Sequence, residues 1–389
     1  MREYGAELRC RYRLAATVLK VMWHIVTCRT AALGGHLDVC DACGYERVSY
    51  NSCRDRHCPK CQATERARWV AERMERLLPV NYFHVVFTLP KDLRPLALRN
   101  KKVVYDLLFK AASSTLRILS RDPKHLGAEI GVTAVLHTWG QTLGLHPHLH
   151  CIVTGGGLAL DGSCWKPGRK HYLLPLNVLS KLFRGRFLSG LQRACDEGRL
   201  DLSGSTEELA DPMRWAALRD TLYRTKWNTY AKRPFGGPEQ VLRYLGSYTH
   251  RVAISDHRLV AMQDGKVSFS CKDYRDHSRR KIMTLDAVEF LRRFLLHVLP
   301  KGFVRIRHYG LWAATNVNTK LVTARRLLEP DKLASPPSGE PRPWWERFLE
   351  HTGIDVCACP CCKTGRLQRR QTIPAFGFYP DPTPFARSP

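Results

Sequence analysis

His146-Pro147-His148-Leu149-His150-Cys151-Ile152-Val153 is the stretch whose reading decides the fold of this 389-residue chain. On a β-strand alternate side chains share a face, so His148 and His150 point one way. Leu149, Cys151 and Val153 then point the other way, toward a core. Two imidazoles on one face at that spacing can chelate a single cation and leave positions open to a phosphate oxygen and water. His146 shares their parity, although Pro147 interrupts the strand beside it. The pattern leaves the third ligand open among Gln141, His137 on the preceding strand, and His146. A lone histidine in a sheet is usually structural; a His-Leu-His pair flanked by apolar strand residues favours a metal.

Outward from this strand, the hydrophobic periodicity is that of an α+β domain built on an antiparallel sheet. Gly131 to Thr138 and His146 to Thr154 read as a hairpin ending in Gly155-Gly156-Gly157. Phe83 to Leu89 (FHVVFTL) is a β-type run closed by Pro90. Helices are expected over Leu98 to Ser120, most of 176–223, and 285–298. Further strands are expected at Trp227 to Ala231, 258–263, 266–271 and Phe303 to Arg307. Pro238 and Glu239 open another helix. There Tyr244 and Tyr248 stand four apart, one above the other on a single face. Such a pair is ordinarily a packing stripe, and its conjunction with the histidine strand argues otherwise. A phenol with a free pKa of about 10 is a weak nucleophile without a polarised phosphate or nearby positive charge. A divalent ion at His148 and His150 would supply the first, and Arg243 or Arg251 the second.

Upstream lies a cysteine knot. Cys40-x2-Cys43 and Cys58-x2-Cys61 form two knuckles that can place four thiolates around a structural zinc. Cys53 and His57 lie between them and are alternative ligands. The basic residues Arg54, Arg56, Lys60, Arg66 and Arg68 fall in and after the knot, where zinc would order them to meet DNA phosphates. A helix is expected from Gln62 to Leu78, after a helical lead-in over residues 1–34. Near residue 360, Cys359-Pro-Cys-Cys362 resembles half a knuckle. No cysteine or histidine follows it, so Cys357 or His351 would have to complete a second site.

Composition narrows the class. Lys and Arg outnumber Asp and Glu by 62 to 35, a formal charge of +27, which favours a polyanionic partner such as nucleic acid. The 15 cysteines come in short pairs, as metal ligands do in a reducing compartment, and not as a secreted disulfide scaffold. The apolar stretch Leu14 to Cys28 is interrupted by Lys20 and His24 and has no convincing cleavage site, and no run is long enough to span a bilayer. A soluble, cytoplasmic protein is expected. The domain division expected is 1–80 (helical lead-in and zinc-binding domain), 81–328 (catalytic domain), 329–343 (Pro/Ser linker) and 344–389 (cysteine cluster and tail).

Taken in order, CDACGYERVSYNSCRDRHCPKCQ, FTLP, HPHLHCIVTGGG and RYLGSYTHRVAISDHRL closely resemble the two-tyrosine HUH transposases of rolling-circle bacterial insertion sequences, over about residues 8 to 315. The resemblance implies an HUH-endonuclease core, an antiparallel sheet with flanking helices and the histidines on a middle strand, behind an N-terminal zinc-binding domain. It implies His148 and His150 as ligands of a catalytic Mg²⁺ or Mn²⁺, and Tyr244 and Tyr248 as the nucleophiles. Phe87 and Thr88 would lie on the strand beside the histidines. The implied chemistry is nicking and rejoining of DNA through a 5′-phosphotyrosine. The partners would be single-stranded DNA at transposon ends and target DNA, with no membrane, and a homo-oligomer is compatible. Two alternatives stay open: a plasmid replication initiator or relaxase, and a non-catalytic zinc-dependent DNA-binding regulator.

Overall fold

The computed structural model describes residues 1–61, 69, 70, 73, 76–169, 174–232, 253–273, 276–330, 343–353 and 355–376. In chain order the strands are β1 (Gly35–Cys40), β2 (Glu46–Tyr50), β3 (Tyr82–Thr88), β4 (Ala128–Glu129), β5 (Gly131–Trp139), β6 (Leu145–Thr154) and β7 (Gly156–Ala159). They continue with β8 (Trp165–Pro167), β9 (Thr229–Lys232), β10 (Leu259–Gln263), β11 (Lys266–Asp273), β12 (Arg279–Asp286), β13 (Ile306–Gly310) and β14 (Leu367–Ile373). The chain divides into two units, one of residues 1–72, 250–298 and 339–389, the other of 73–249 and 299–338.

In the second unit a five-stranded antiparallel sheet has the order β13-β5-β6-β3-β9, with the histidine strand β6 at its centre. Alternation sorts its side chains onto two faces. Phe83, Val85 and Phe87 of β3, Val132, Ala134 and Leu136 of β5, and Leu149, Cys151 and Val153 of β6 all belong to one buried apolar core. Two long helices supply much of the rest of it. Lys101–Arg121 buries Val104, Tyr105, Leu108, Phe109, Ala112 and Leu116, at the spacing of one helical face. Leu176–Asp196 buries Leu179, Phe183, Phe187 and Leu191 likewise. The opposite face of the three strands carries His84, Val86 and Thr88, then Thr133, Val135 and His137, then His148, His150 and Ile152. A separate three-stranded sheet, β4-β7-β8, follows the glycine run at the end of β6.

The other unit holds two three-stranded sheets, β14-β1-β2 and β10-β11-β12. The amphipathic helix Ala287–Leu295 packs on the second of these, with Phe290 and Phe269 ring centroids 5.8 Å apart. Among the described residues no helix is long and apolar enough to cross a membrane.

Several expectations need correction. The helix expected over Leu98 to Ser120 is broken at Asn100, which leaves helical geometry at φ −112°, ψ 44°, so Arg94–Arg99 and Lys101–Arg121 are separate. The strand expected at Phe303 to Arg307 begins at Ile306 instead, because Phe303 is drawn into the core beside Tyr105 and Phe109. The contiguous division at residues 80 and 328 differs from the two units. Residues 253–298 sort with the N-terminal segment, and so does 344–376, where β14 pairs with β1 from Gly35↔Ile373 to Cys40↔Leu367. Most of the expected Gln62 to Leu78 helix, the helix after Pro238, and most of the 329–343 linker lie outside the described residues.

Candidate metal centre

The turn between β5 and β6 decides which histidines meet. The chain reverses over residues 140–144, closed by the Gly140 amide donating to the Gly144 carbonyl at 3.0 Å, with Leu143 in the left-handed region at φ 61°. A register shift between His137 and Trp139 follows, and it sets His137 directly opposite His148. The result is a three-imidazole group: ring nitrogens of His137, His148 and His150 lie within 4.8 Å of one another. Among the described residues no carboxylate joins the group, and of the three candidates for a third donor it contains His137 and not His146. Gln141 stands in the turn.

Hydrogen bonds favour the ligating form of these rings. His148 Nδ1 donates to the His146 carbonyl at 2.7 Å, which leaves Nε2 as a lone-pair donor. His150 Nδ1 lies 2.8 Å from Nε2 of the fully buried His84, and the two rings stack at 5.0 Å and 5°. If His150 donates in that contact, its own Nε2 is likewise free to bind a cation. His84 was not foreseen; its signal was a lone polar residue inside an apolar strand, two places from the position that faces His150. Burial, and the repulsion that a protonated His146 or His84 would add, lower the His148 pKa to about 3, so the ring is neutral at physiological pH. Thr88 pairs with His148 and Phe87 with Leu149, so FTLP does lie beside the histidines.

The same face carries a titratable ring away from the group. His308 on β13, hydrogen-bonded to Thr133 Oγ1 at 3.0 Å, is lowered to about 4 by burial and by Arg73 and Arg76. Its unfolded value is about 6.5. Below that value the unfolded chain takes up a proton that the folded chain refuses, so stability present above pH 6.5 is lost as the pH falls toward 4. We expect the melting temperature to drop by several degrees from pH 7 to 5 and His308→Asn to flatten part of that slope. Parallel slopes for the two proteins in thermal melts would contradict this.

The cysteines are arranged differently from the expected set of Cys40, Cys43, Cys58 and Cys61. The structure divides those four between two groups. Cys58 and Cys61 join Cys28 and Cys53, while Cys40 and Cys43 join Cys359 and Cys362, and in each group the four sulfurs lie within 4.8 Å of one another. The cause is topological: Cys40 and Cys43 cap the β1–β2 turn, to which the β14 segment brings its own pair, whereas Cys28 closes the Ala16–Thr27 helix beside the 53–61 loop. Cys28 was missed because it has no neighbour at knuckle spacing. His57 is not a member. It binds Asp55 Oδ1 at 3.0 Å, and His24 binds Oδ2 at 2.7 Å. Although burial opposes it, these bonds hold the Asp55 carboxyl below the usual range, so a charged acceptor orders the loop.

Of the basic residues picked out in sequence, Arg54 and Lys60 are exposed and Arg56 is half-buried. Lys60 Nζ also donates to the Cys28 carbonyl at 3.3 Å. Arg66, Arg68, Arg243 and Arg251, together with Tyr244 and Tyr248, lie outside the described residues.

Two family models match successive parts of this chain. Residues 1–89 match a family model described as "Transposase zinc-binding domain", and residues 131–320 one described as "Putative transposase". A protein of Sinorhizobium fredii carrying the name "Putative transposase y4qJ" is 48% identical over 367 residues, 94% of this chain and 92% of that one. The transposase for insertion sequence element IS801 of Pseudomonas savastanoi pv. phaseolicola is 28% identical over 292 residues, 74% of this chain and 68% of its own. With a cysteine-bound zinc domain ahead of an antiparallel sheet that centres on His148 and His150, the chain belongs to the IS91/IS801 family of transposases.

Proposed function

We propose that this transposase nicks and rejoins single-stranded DNA at the ends of its element through a 5′-phosphotyrosine, in rolling-circle-type transposition. The observation that carries the reading is the convergence of His137, His148 and His150 on the polar face of the central sheet. Three imidazoles fit a divalent cation, which when bound would withdraw charge from a scissile phosphate. Of the two ions expected, a nitrogen-rich set favours Mn²⁺ over Mg²⁺, which prefers oxygen ligands.

The remaining chemistry belongs to the chain's own groups. The phenolic oxygen of Tyr244 or Tyr248 gives up its proton and forms a bond to phosphorus. The bond to the 3′ oxygen breaks, and that oxygen leaves as a hydroxyl after taking up a proton. Joining is the reverse, a 3′-hydroxyl attacking the phosphotyrosine, so no outside energy source is needed. Two tyrosines allow a donor and a target strand to be held and exchanged. Arg243 and Arg251 would favour the phenolate and the phosphate it attacks. In the zinc-binding domain we assign one structural zinc to Cys28, Cys53, Cys58 and Cys61, with Arg54, Arg56 and Lys60 on its loop contacting phosphates, as Arg66 and Arg68 would beyond it.

The test is a covalent-adduct assay with single-stranded DNA from an element end and added Mn²⁺. Wild-type protein should form a DNA-linked band. The Tyr244→Phe/Tyr248→Phe double variant should bind the DNA but lose the band by at least about a thousand-fold. A band of undiminished intensity in that variant would remove the tyrosines from the mechanism.

A further inference from the structure

The second cysteine group has a composition that no single stretch of sequence contains. Cys40 and Cys43 bracket the turn after β1. Cys359 and Cys362 bracket a second turn more than three hundred residues later, just before β14. The sulfurs pair crosswise, Cys40 with Cys362 at 3.7 Å and Cys43 with Cys359 at 3.7 Å. A disulfide requires about 2.05 Å, so these are not half-formed crosslinks. Four sulfurs held tetrahedrally at about 2.3 Å from a zinc ion are separated from one another by about 3.8 Å, which is the spacing observed here. The Cys28 group shows the same edge, with Cys53 and Cys61 at 3.8 Å.

The two turns are built alike. The Ala42 amide donates to Cys40 Sγ at 3.4 Å, and the Cys361 amide donates to Cys359 Sγ at 3.4 Å. The Gly365 amide donates to Cys362 Sγ at 3.2 Å. Backbone N–H groups directed at sulfur stabilise thiolate over thiol. The halves are also tied to each other, since Asp41 Oδ1 accepts from the Arg366 amide at 2.7 Å and the Asp41 amide donates to the Arg366 carbonyl at 3.1 Å. Gly365 has no room for a side chain: a Cβ there would lie 2.4 Å from Cys40 Sγ and 2.7 Å from the Ala42 Cβ.

We propose that Cys40, Cys43, Cys359 and Cys362 bind a second structural zinc ion, and that this ion clamps the β14 segment onto β1. The half-knuckle at 359–362 thereby finds the partner it lacks downstream. Cys357 and Cys361, in the same short run, are not ligands, and Cys361 is exposed. The site is independent of the Cys28 group and of the histidine centre, and its test does not depend on cleavage.

Metal analysis of the full-length protein, purified without chelator, should return two zinc ions per chain, and Cys359→Ser/Cys362→Ser should return one. A variant that keeps all eight thiols, Gly365→Val, should also lose one. Because any variant can misfold, the wild-type protein supplies a second reading. Brief alkylation followed by peptide mass spectrometry should modify Cys361 at once while sparing Cys359 and Cys362, and a chelator should abolish the difference. The same zinc content in the wild type and in Cys359→Ser/Cys362→Ser, or alkylation of Cys359 and Cys362 as fast as Cys361 before chelation, overturns the proposal.

Discussion

Replacing His148 and His150 together with alanine is expected to abolish Mn²⁺ binding at the central sheet and to lower single-strand cleavage by about a thousand-fold. Both histidines project from the middle strand on one face, and His137 alone is left after the change. A single imidazole does not chelate, so the cation's stabilisation of phosphate charge, worth several kcal/mol, goes with the pair. The fold should survive, because the side chains removed lie opposite the Leu149–Cys151–Val153 face that forms the core. His84→Gln should have a graded effect, weakening Mn²⁺ affinity by roughly 10- to 100-fold, since it orients His150 from behind without reaching the cation. Calorimetric titration with Mn²⁺ and single-turnover cleavage would measure both. Wild-type Mn²⁺ affinity in the double variant would show that this face does not hold the ion.

The second large effect belongs to Cys28. Cys28→Ser should be as damaging as Cys58→Ser, although Cys28 stands apart from every knuckle. One missing thiolate opens a four-sulfur zinc site, and structural zinc contributes on the order of 10 kcal/mol to small zinc domains. The residues anchored there include the Ala16–Thr27 helix, which ends at Cys28, and the 53–61 loop, whose Cys53 amide donates to Cys28 Sγ at 3.5 Å. Zinc content should fall by one ion per chain, and proteolysis should begin within the first 72 residues. Cys10→Ser, at an exposed position outside both groups, is the control. Retention of full zinc and native protease resistance by Cys28→Ser would refute this ligand set.

What could be read in sequence was what local patterning records. The alternation of Leu149, Cys151 and Val153 against His148 and His150 announced a strand with a core face and a polar face, and the sheet has both. FHVVFTL and the hairpin were legible for the same reason. What escaped was non-local or polar. β12 (RRKIMTLD) and β14 (LQRRQTI) carry too many charges to advertise a buried face, and their exposed positions show why. His137 stood as one candidate of three because its alignment with His148 depends on a register irregularity between it and Trp139. The knuckles announced metal, but spacing along the chain cannot say which pairs meet in space. Cys40-x2-Cys43 and Cys58-x2-Cys61 looked like one site and fall in two separate groups of four cysteines. The half-knuckle at 359–362 was the available clue, since an unmatched pair downstream calls for one upstream.

The pairing of β1 with β14 also bears on how this protein is made. β1 leaves the ribosome hundreds of residues before the strand that covers its edge. At roughly 5–20 residues per second, the interval is on the order of tens of seconds. For that time the nascent chain carries β1 with one side unsatisfied and Cys40 and Cys43 without their counterparts, while the last strand of the sheet centred on β6, β13 at residues 306–310, has already been made. Synthesis therefore finishes the histidine-bearing sheet before the module that its first residues began. A ribosome that stops before residue 367 releases a chain whose exposed strand edge is a template for aggregation and a target for proteases.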